Sequence, residues 1–64
     1  MIDKVKENIK REIKARKTTI QIVCNILHKD RFYIYRMTDE TKLNKIINIA
    51  HAIGCTPADL LKGL

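Results

Sequence analysis

The chain contains no tryptophan, one proline (Pro57), two glycines (Gly54 and Gly63) and three aromatic residues in 64 positions. So little Gly and Pro argues against a turn-rich β fold and points to helices. The two cysteines, Cys24 and Cys55, are too few for the disulfide framework of a small secreted domain. No apolar run approaches the ~18 residues that read as a membrane span. The opening stretch MIDKVKENIK lacks the apolar h-region of a signal peptide. A cytoplasmic protein that does not enter membranes is expected. There is no Gly-rich phosphate loop and no suggestive pair of carboxylates. A chain this short buries one modest core, with stability of about 3–5 kcal/mol and little room for a supported enzyme cleft. We expect one domain over residues 1–64, no catalysis and no cofactor.

What is present is aliphatic and basic. Hydrophobic residues make up 45% of the chain, and 13 basic residues face 7 acidic ones, for a net charge of +6. That excess suits an anionic partner. All three aromatics, Phe32, Tyr33 and Tyr35, fall within four consecutive positions, with Lys29, Arg31 and Arg36 among them.

Apolar periodicity predicts an all-α bundle of five short helices, at about 3–17, 19–27, 31–37, 41–53 and 57–62. In the first, Ile2, Val5, Ile9 and Ile13 form one stripe, and seven of the thirteen basic residues cover the rest. In the second, Ile20, Val23, Cys24 and Leu27 share a face, and Thr18 with Gln21 has the spacing of a capping box. Asp30 is positioned to cap the third, with Ile34 and Met37 turned inward. Thr38 or Thr41 would cap the fourth. Its face of Leu43, Ile46, Ile47, Ile49, Ala50 and Ile53 is the broadest and predicts the central core helix, ended by Gly54 in a left-handed conformation. Thr56, Pro57 and Asp59 mark the start of the fifth, which brings Leu60 and Leu61 back to the core.

Two short helices with a tight break, then a broad apolar helix ending in Gly-x-Thr-Pro-x-x-Leu-Leu, resemble the Cro/CI (XRE) family of helix-turn-helix DNA-binding domains. The stretch LNKIINIAHAIGCTPADLL is similar to that family's last two helices, and TIQIVCNILHKDRFYIYRM keeps the spacing of its motif. Cys24 stands at the small buried position of the first motif helix and Ile34 at the buried position of the second. The sequence departs from the pattern at His28, where the family usually has Gly, and at Ile20, where it often has a phosphate-contacting Gln. The resemblance implies a lambda-repressor-like fold and a transcriptional regulator of phage, plasmid or bacterial origin. It also implies a dimer, here a weak one, on a near-palindromic operator in double-stranded DNA.

On a helix over 31–37 with Ile34 facing the core, steps of 100° per residue turn Phe32 and Arg36 outward and side by side. Tyr33 and Tyr35 fall on the flanks, from which their hydroxyls would reach phosphates or base edges of DNA. As a recognition helix in the major groove, this face offers Arg31 and Arg36 to guanine and Phe32 to a thymine methyl. Lys29, Lys14, Arg16 and Lys17 would hold phosphates. The alternative for the aromatics is that Tyr33, and less readily Phe32, folds back to complete the core.

Ile22 and Ile26 lie opposite the inward stripe of their helix. Either they pack under the first helix, or they form a contact for a protein partner. A protein-binding module built on the same fold, an antirepressor or inhibitor, is therefore the second reading. Cys24 with His28 and His51 with Cys55 are i, i+4 pairs, the arrangement from which a zinc site can be built. Both cysteines also suit small buried positions, and no metal is expected.

Overall fold

The computed structural model describes residues 2–64. Among them are four helices and no strand: α1 (Ile2–Ala15), α2 (Ile20–Ile26), α3 (Leu43–Ile53) and α4 (Pro57–Leu60). Among the described residues, no helix is long and apolar enough to cross a membrane.

The α1 stripe is as the periodicity requires, with Val5, Ile9 and Ile13 buried and Ile2 packed at the core's edge. The helix ends two residues before expected because Lys17 turns left-handed (φ 55°). Thr18 N–H then donates to the Ile13 carbonyl and Lys17 N–H to that of Lys14, both at 3.1 Å. This is a Schellman ending with lysine in the place glycine usually takes.

Thr19, not Thr18, caps α2, its hydroxyl accepting from Ile22 N–H at 3.2 Å. Gln21 does not reach back to close a capping box. Its amide donates instead to Asn25 Oδ1, one turn on. The end of α2 repeats the end of α1. His28 is left-handed (φ 58°), Lys29 N–H donates to the Cys24 carbonyl at 2.9 Å, and His28 N–H to that of Asn25.

The third expected helix is absent. Residues 31–36 form consecutive turns, with Tyr33 N–H donating to the Asp30 carbonyl, Arg36 N–H to Phe32 and Met37 N–H to Ile34. Phe32, Tyr33, Ile34 and Tyr35 are four aromatic and β-branched residues in a row, which are poor helix formers. Burial still follows the expected pattern, with Ile34 and Met37 in the core.

The TDET stretch forms a closed turn. Thr38 N–H donates to Thr41 Oγ1 and Thr41 N–H to the Thr38 carbonyl, both at 2.9 Å. The Thr38 hydroxyl accepts from Glu40 N–H at 3.3 Å, so both threonine hydroxyls are occupied, and α3 begins two residues later than expected, without a side-chain cap. Leu43, expected to face inward, is largely exposed on this first turn. From there α3 is the central helix, packed against all three others and burying Ile46, Ile49, Ala50 and Ile53. Gly54 ends it in the left-handed conformation (φ 93°). Thr56 and Asp59 form the complete capping box of α4, which buries Leu60 and ends before the expected residue 62.

Candidate nucleic-acid interface

The turn segment 30–36 is held from both sides by lysines. On one side, Lys6 Nζ of α1 donates to the Tyr35 carbonyl (3.1 Å), and Lys10 Nζ lies 5.8 Å from the Tyr35 ring centre. On the other, Lys45 Nζ of α3 stands 4.0 Å from the centre of the Tyr33 ring, with Lys29 Nζ at 5.6 Å. The two tyrosines therefore flank the segment as the helical geometry expects, although the segment is not a helix. Tyr33 is half-buried against the core, so it serves packing and surface together.

Phe32 is 46% exposed. The Arg31 guanidinium lies 4.9 Å from its ring centre and that of Arg36 at 5.8 Å. Cations over aromatic faces gain about 0.5–1 kcal/mol at exposed sites. That gain holds the two guanidiniums near one ring despite their mutual repulsion. Asp30 closes the arrangement. Its Oδ1 accepts from Phe32 N–H (2.9 Å) and its Oδ2 from Arg36 Nη1 (3.0 Å). The capping role expected of Asp30 is thus present in a turn instead of a helix.

The pKa of Lys45 is lowered, first by burial and then by the charges of Lys29 and Arg36. Lys29, Arg31, Phe32, Tyr33, Arg36 and Lys45 make up a continuous basic and aromatic surface on the segment and its α3 flank.

The remaining expected contacts lie at the end of α1. Lys14, Arg16 and Lys17 are exposed there. Arg16 pairs with Glu12 (3.6 Å), and its charge is felt at Cys55 and Asp59, towards α4. The α1 cations that touch the turn segment are Lys6 and Lys10, which the sequence did not single out. Nor did it single out Lys45. Its one sequence signal is its place beside Ile46, at the edge of the α3 apolar stripe.

Ile22 and Ile26 do not pack under α1. They are 49% and 56% exposed on the outer face of α2. Cys24 and Cys55 are buried free thiols, their pKa values raised chiefly by that burial. Among the described residues, the one group of three possible metal ligands is Glu12, Cys55 and Asp59, and neither histidine joins it. Its carboxylates are already engaged. Glu12 pairs with Arg11 and Arg16, and Asp59 takes the Thr56 N–H and hydroxyl, which lowers its pKa. No protein-family model, curated protein or solved structure matches this chain.

Proposed function

We propose that the protein is a small sequence-specific DNA-binding regulator of the Cro/CI kind, with a lambda-repressor-like helix-turn-helix fold. The observation that carries this reading is the surface formed by Lys29, Arg31, Phe32, Tyr33, Arg36 and Lys45, where four residues carry a positive charge and the two aromatic rings contact those cations. The left-handed His28 at the turn and the burial of Cys24 and Ile34, ten positions apart, add support.

On this reading the segment Arg31–Met37 is the part that enters the major groove, as turns and not as a preformed helix. Arg31 and Arg36 meet guanine edges, and Lys29, Lys45 and the cations at the end of α1 hold phosphates. A weak dimer would place two such segments about 34 Å apart on a near-palindromic operator. The protein acts by occupying that site, with no chemical step.

The test is selection of binding sites from random duplexes at two salt concentrations. A preferred sequence should emerge, and Arg36→Ala should relax that preference at the base Arg36 contacts. Lys17→Ala should weaken all duplexes alike and lower the salt slope by about 0.9. Selection that returns no preferred sequence at low salt rejects the regulator reading.

The exposed pair Ile22 and Ile26 favours a second reading, a protein-binding module such as an antirepressor. Here Phe32, Tyr33 and Tyr35 would anchor a protein partner. Capture of a partner from nuclease-treated host lysate, lost on Phe32→Ala, would favour this reading over the first.

A further inference from the structure

We infer that Asp30 is a specificity-determining residue that acts through Arg36, holding its guanidinium over Phe32 in the orientation that reads a base. The inference rests on the regulator reading above and names the residue that sets its discrimination.

Three observations converge on Asp30. First, its two carboxylate oxygens have separate tasks. Oδ1 takes the Phe32 N–H at 2.9 Å and so fixes the backbone that carries the ring. Oδ2 takes Arg36 Nη1 at 3.0 Å, six residues away. Second, Arg36 is held through Nη1 alone, and its guanidinium also lies 5.8 Å from the centre of the Phe32 ring that Asp30 positions. The Arg36 side chain is 65% exposed, and a guanidinium has five N–H groups in a rigid fork, so donors remain for a base edge. Third, Asp30 is a carboxylate set among Lys29, Arg31 and Arg36 on a surface otherwise suited to a polyanion. In bulk electrostatic terms it weakens DNA binding, since it opposes the attraction that Lys29, Arg31 and Arg36 supply.

The cap on Phe32 N–H accounts for Oδ1, but folding stability does not account for the hold of Oδ2 on Arg36. The side chains of the Asp30–Arg36 pair are 56% and 65% exposed, and exposed ion pairs contribute little to folding. An unrestrained arginine would meet any phosphate as well as a base edge. Held by Asp30, the Arg36 fork has fewer orientations, so a guanine with O6 and N7 in register is favoured over a phosphate at random. Asp30 thus lowers affinity for all DNA and raises the difference between sites, as a specificity device does.

Asp30→Asn separates the two effects. The amide oxygen can still accept from Phe32 N–H, so the turn is kept while the charge is lost. Net electrostatics predicts tighter binding to every duplex. Loss of positioning predicts that the ratio of selected-site to random-duplex affinity falls about tenfold, the scale of one bidentate base contact. Arg36→Ala added to Asp30→Asn should lower the ratio little further, because the two residues act as one unit. Arg36→Lys keeps the charge without the planar fork, and should lower the ratio as Asp30→Asn does while far-UV circular dichroism stays unchanged.

If the wild type selects a site and Asp30→Asn keeps the full ratio, the inference is overturned and the regulator reading stands. A wild type that selects no site removes both. Independent, additive losses from Asp30→Asn and Arg36→Ala would also overturn it, since they would mean that Asp30 does not work through Arg36.

Discussion

Asn8 Nδ2 donates to the carbonyls of Leu60 (2.9 Å) and Lys62 (2.8 Å), joining the first helix to the end of the last. Asn8 is fully buried. A four-residue helix such as α4 leaves its final carbonyls without partners inside the helix, and the Asn8 amide supplies two donors there. Asn8→Ala should cost about 1–3 kcal/mol, chiefly through the buried Leu60 carbonyl left unpaired, offset in part by removal of the unpartnered Asn8 Oδ1. Against a total of about 3–5 kcal/mol for a domain of this size, the upper end of that range brings the chain close to unfolding. Urea denaturation followed by circular dichroism measures it. A loss below about 1 kcal/mol would mean that the carbonyls find other donors.

Two helices end on a left-handed residue with a side chain, Lys17 (φ 55°) and His28 (φ 58°). That conformation disfavours an L residue by about 1–2 kcal/mol. Glycine removes the strain but adds freedom to the unfolded chain. Lys17→Gly and His28→Gly should each stabilise the protein by about 0.5–1 kcal/mol, and the gains should add because the two turns share no partner. Duplex affinity gives the second readout. His28→Gly should leave it unchanged, whereas Lys17→Gly removes a charge and should lower it. Destabilisation by either substitution would show that the lysine or histidine side chain makes a contact worth more than the strain.

The helices were legible in the sequence wherever a stripe at helical spacing met a clear end signal. The stripe of Val5, Ile9 and Ile13, the inward pair Ile34 and Met37, and Gly54 and Thr56 as punctuation are where the spacing puts them. The failures have physical causes. The pattern at 31–37 marks which residues point inward, and a run of turns satisfies that as well as a helix does. Leu43 lies outside the core because the Thr38–Thr41 turn delays α3. Asn8 was invisible because polarity is the usual mark of a surface residue, and only the end of α4 gives it a partner. Lys6, Lys10 and Lys45 were not singled out because periodicity cannot rank the cations of a solvated face. Which of them meets Tyr33 or Tyr35 is decided by packing between elements far apart in sequence.

The outward pair on α2 can be tested apart from the core. Ile22→Gln with Ile26→Gln keeps the charge and helix propensity close to those of the wild type. Each site is about half exposed, so stability should change by no more than about 0.5 kcal/mol per substitution. Ile9→Ala or Ile49→Ala, at fully buried positions, should cost about 2–5 kcal/mol in the same assay. On the regulator reading the double Gln variant binds its duplex as the wild type does. Loss of a captured protein partner, with duplex binding intact, would assign the pair to a protein interface. A matching loss of duplex affinity would place it in the DNA-binding assembly instead, most simply at the contact between two copies.

Lys45 links the candidate surface to pH. Burial, with the charges of Lys29 and Arg36, lowers its pKa from the ordinary 10.5, so the folded protein releases that proton before the unfolded chain does. Between the lowered value and 10.5 the unfolded state holds more protons, and the contribution of Lys45 to stability rises with pH across that window. Below the window both states are charged and the penalty is present in full. Relative to Lys45→Met, the wild type should therefore gain stability as pH climbs towards 10.5, as urea denaturation of both proteins across that range would show. A bound phosphate would oppose the repulsion from Lys29 and Arg36 and draw the pKa back up. Duplex binding should then take up protons in the same window and weaken as pH rises through it. Lys45→Met should remove this pH dependence and lower the salt slope by about 0.9, the signature of one phosphate contact. An unchanged slope would leave Lys45 as a packing partner of Tyr33 and confine the interface to Lys29, Arg31, Phe32 and Arg36.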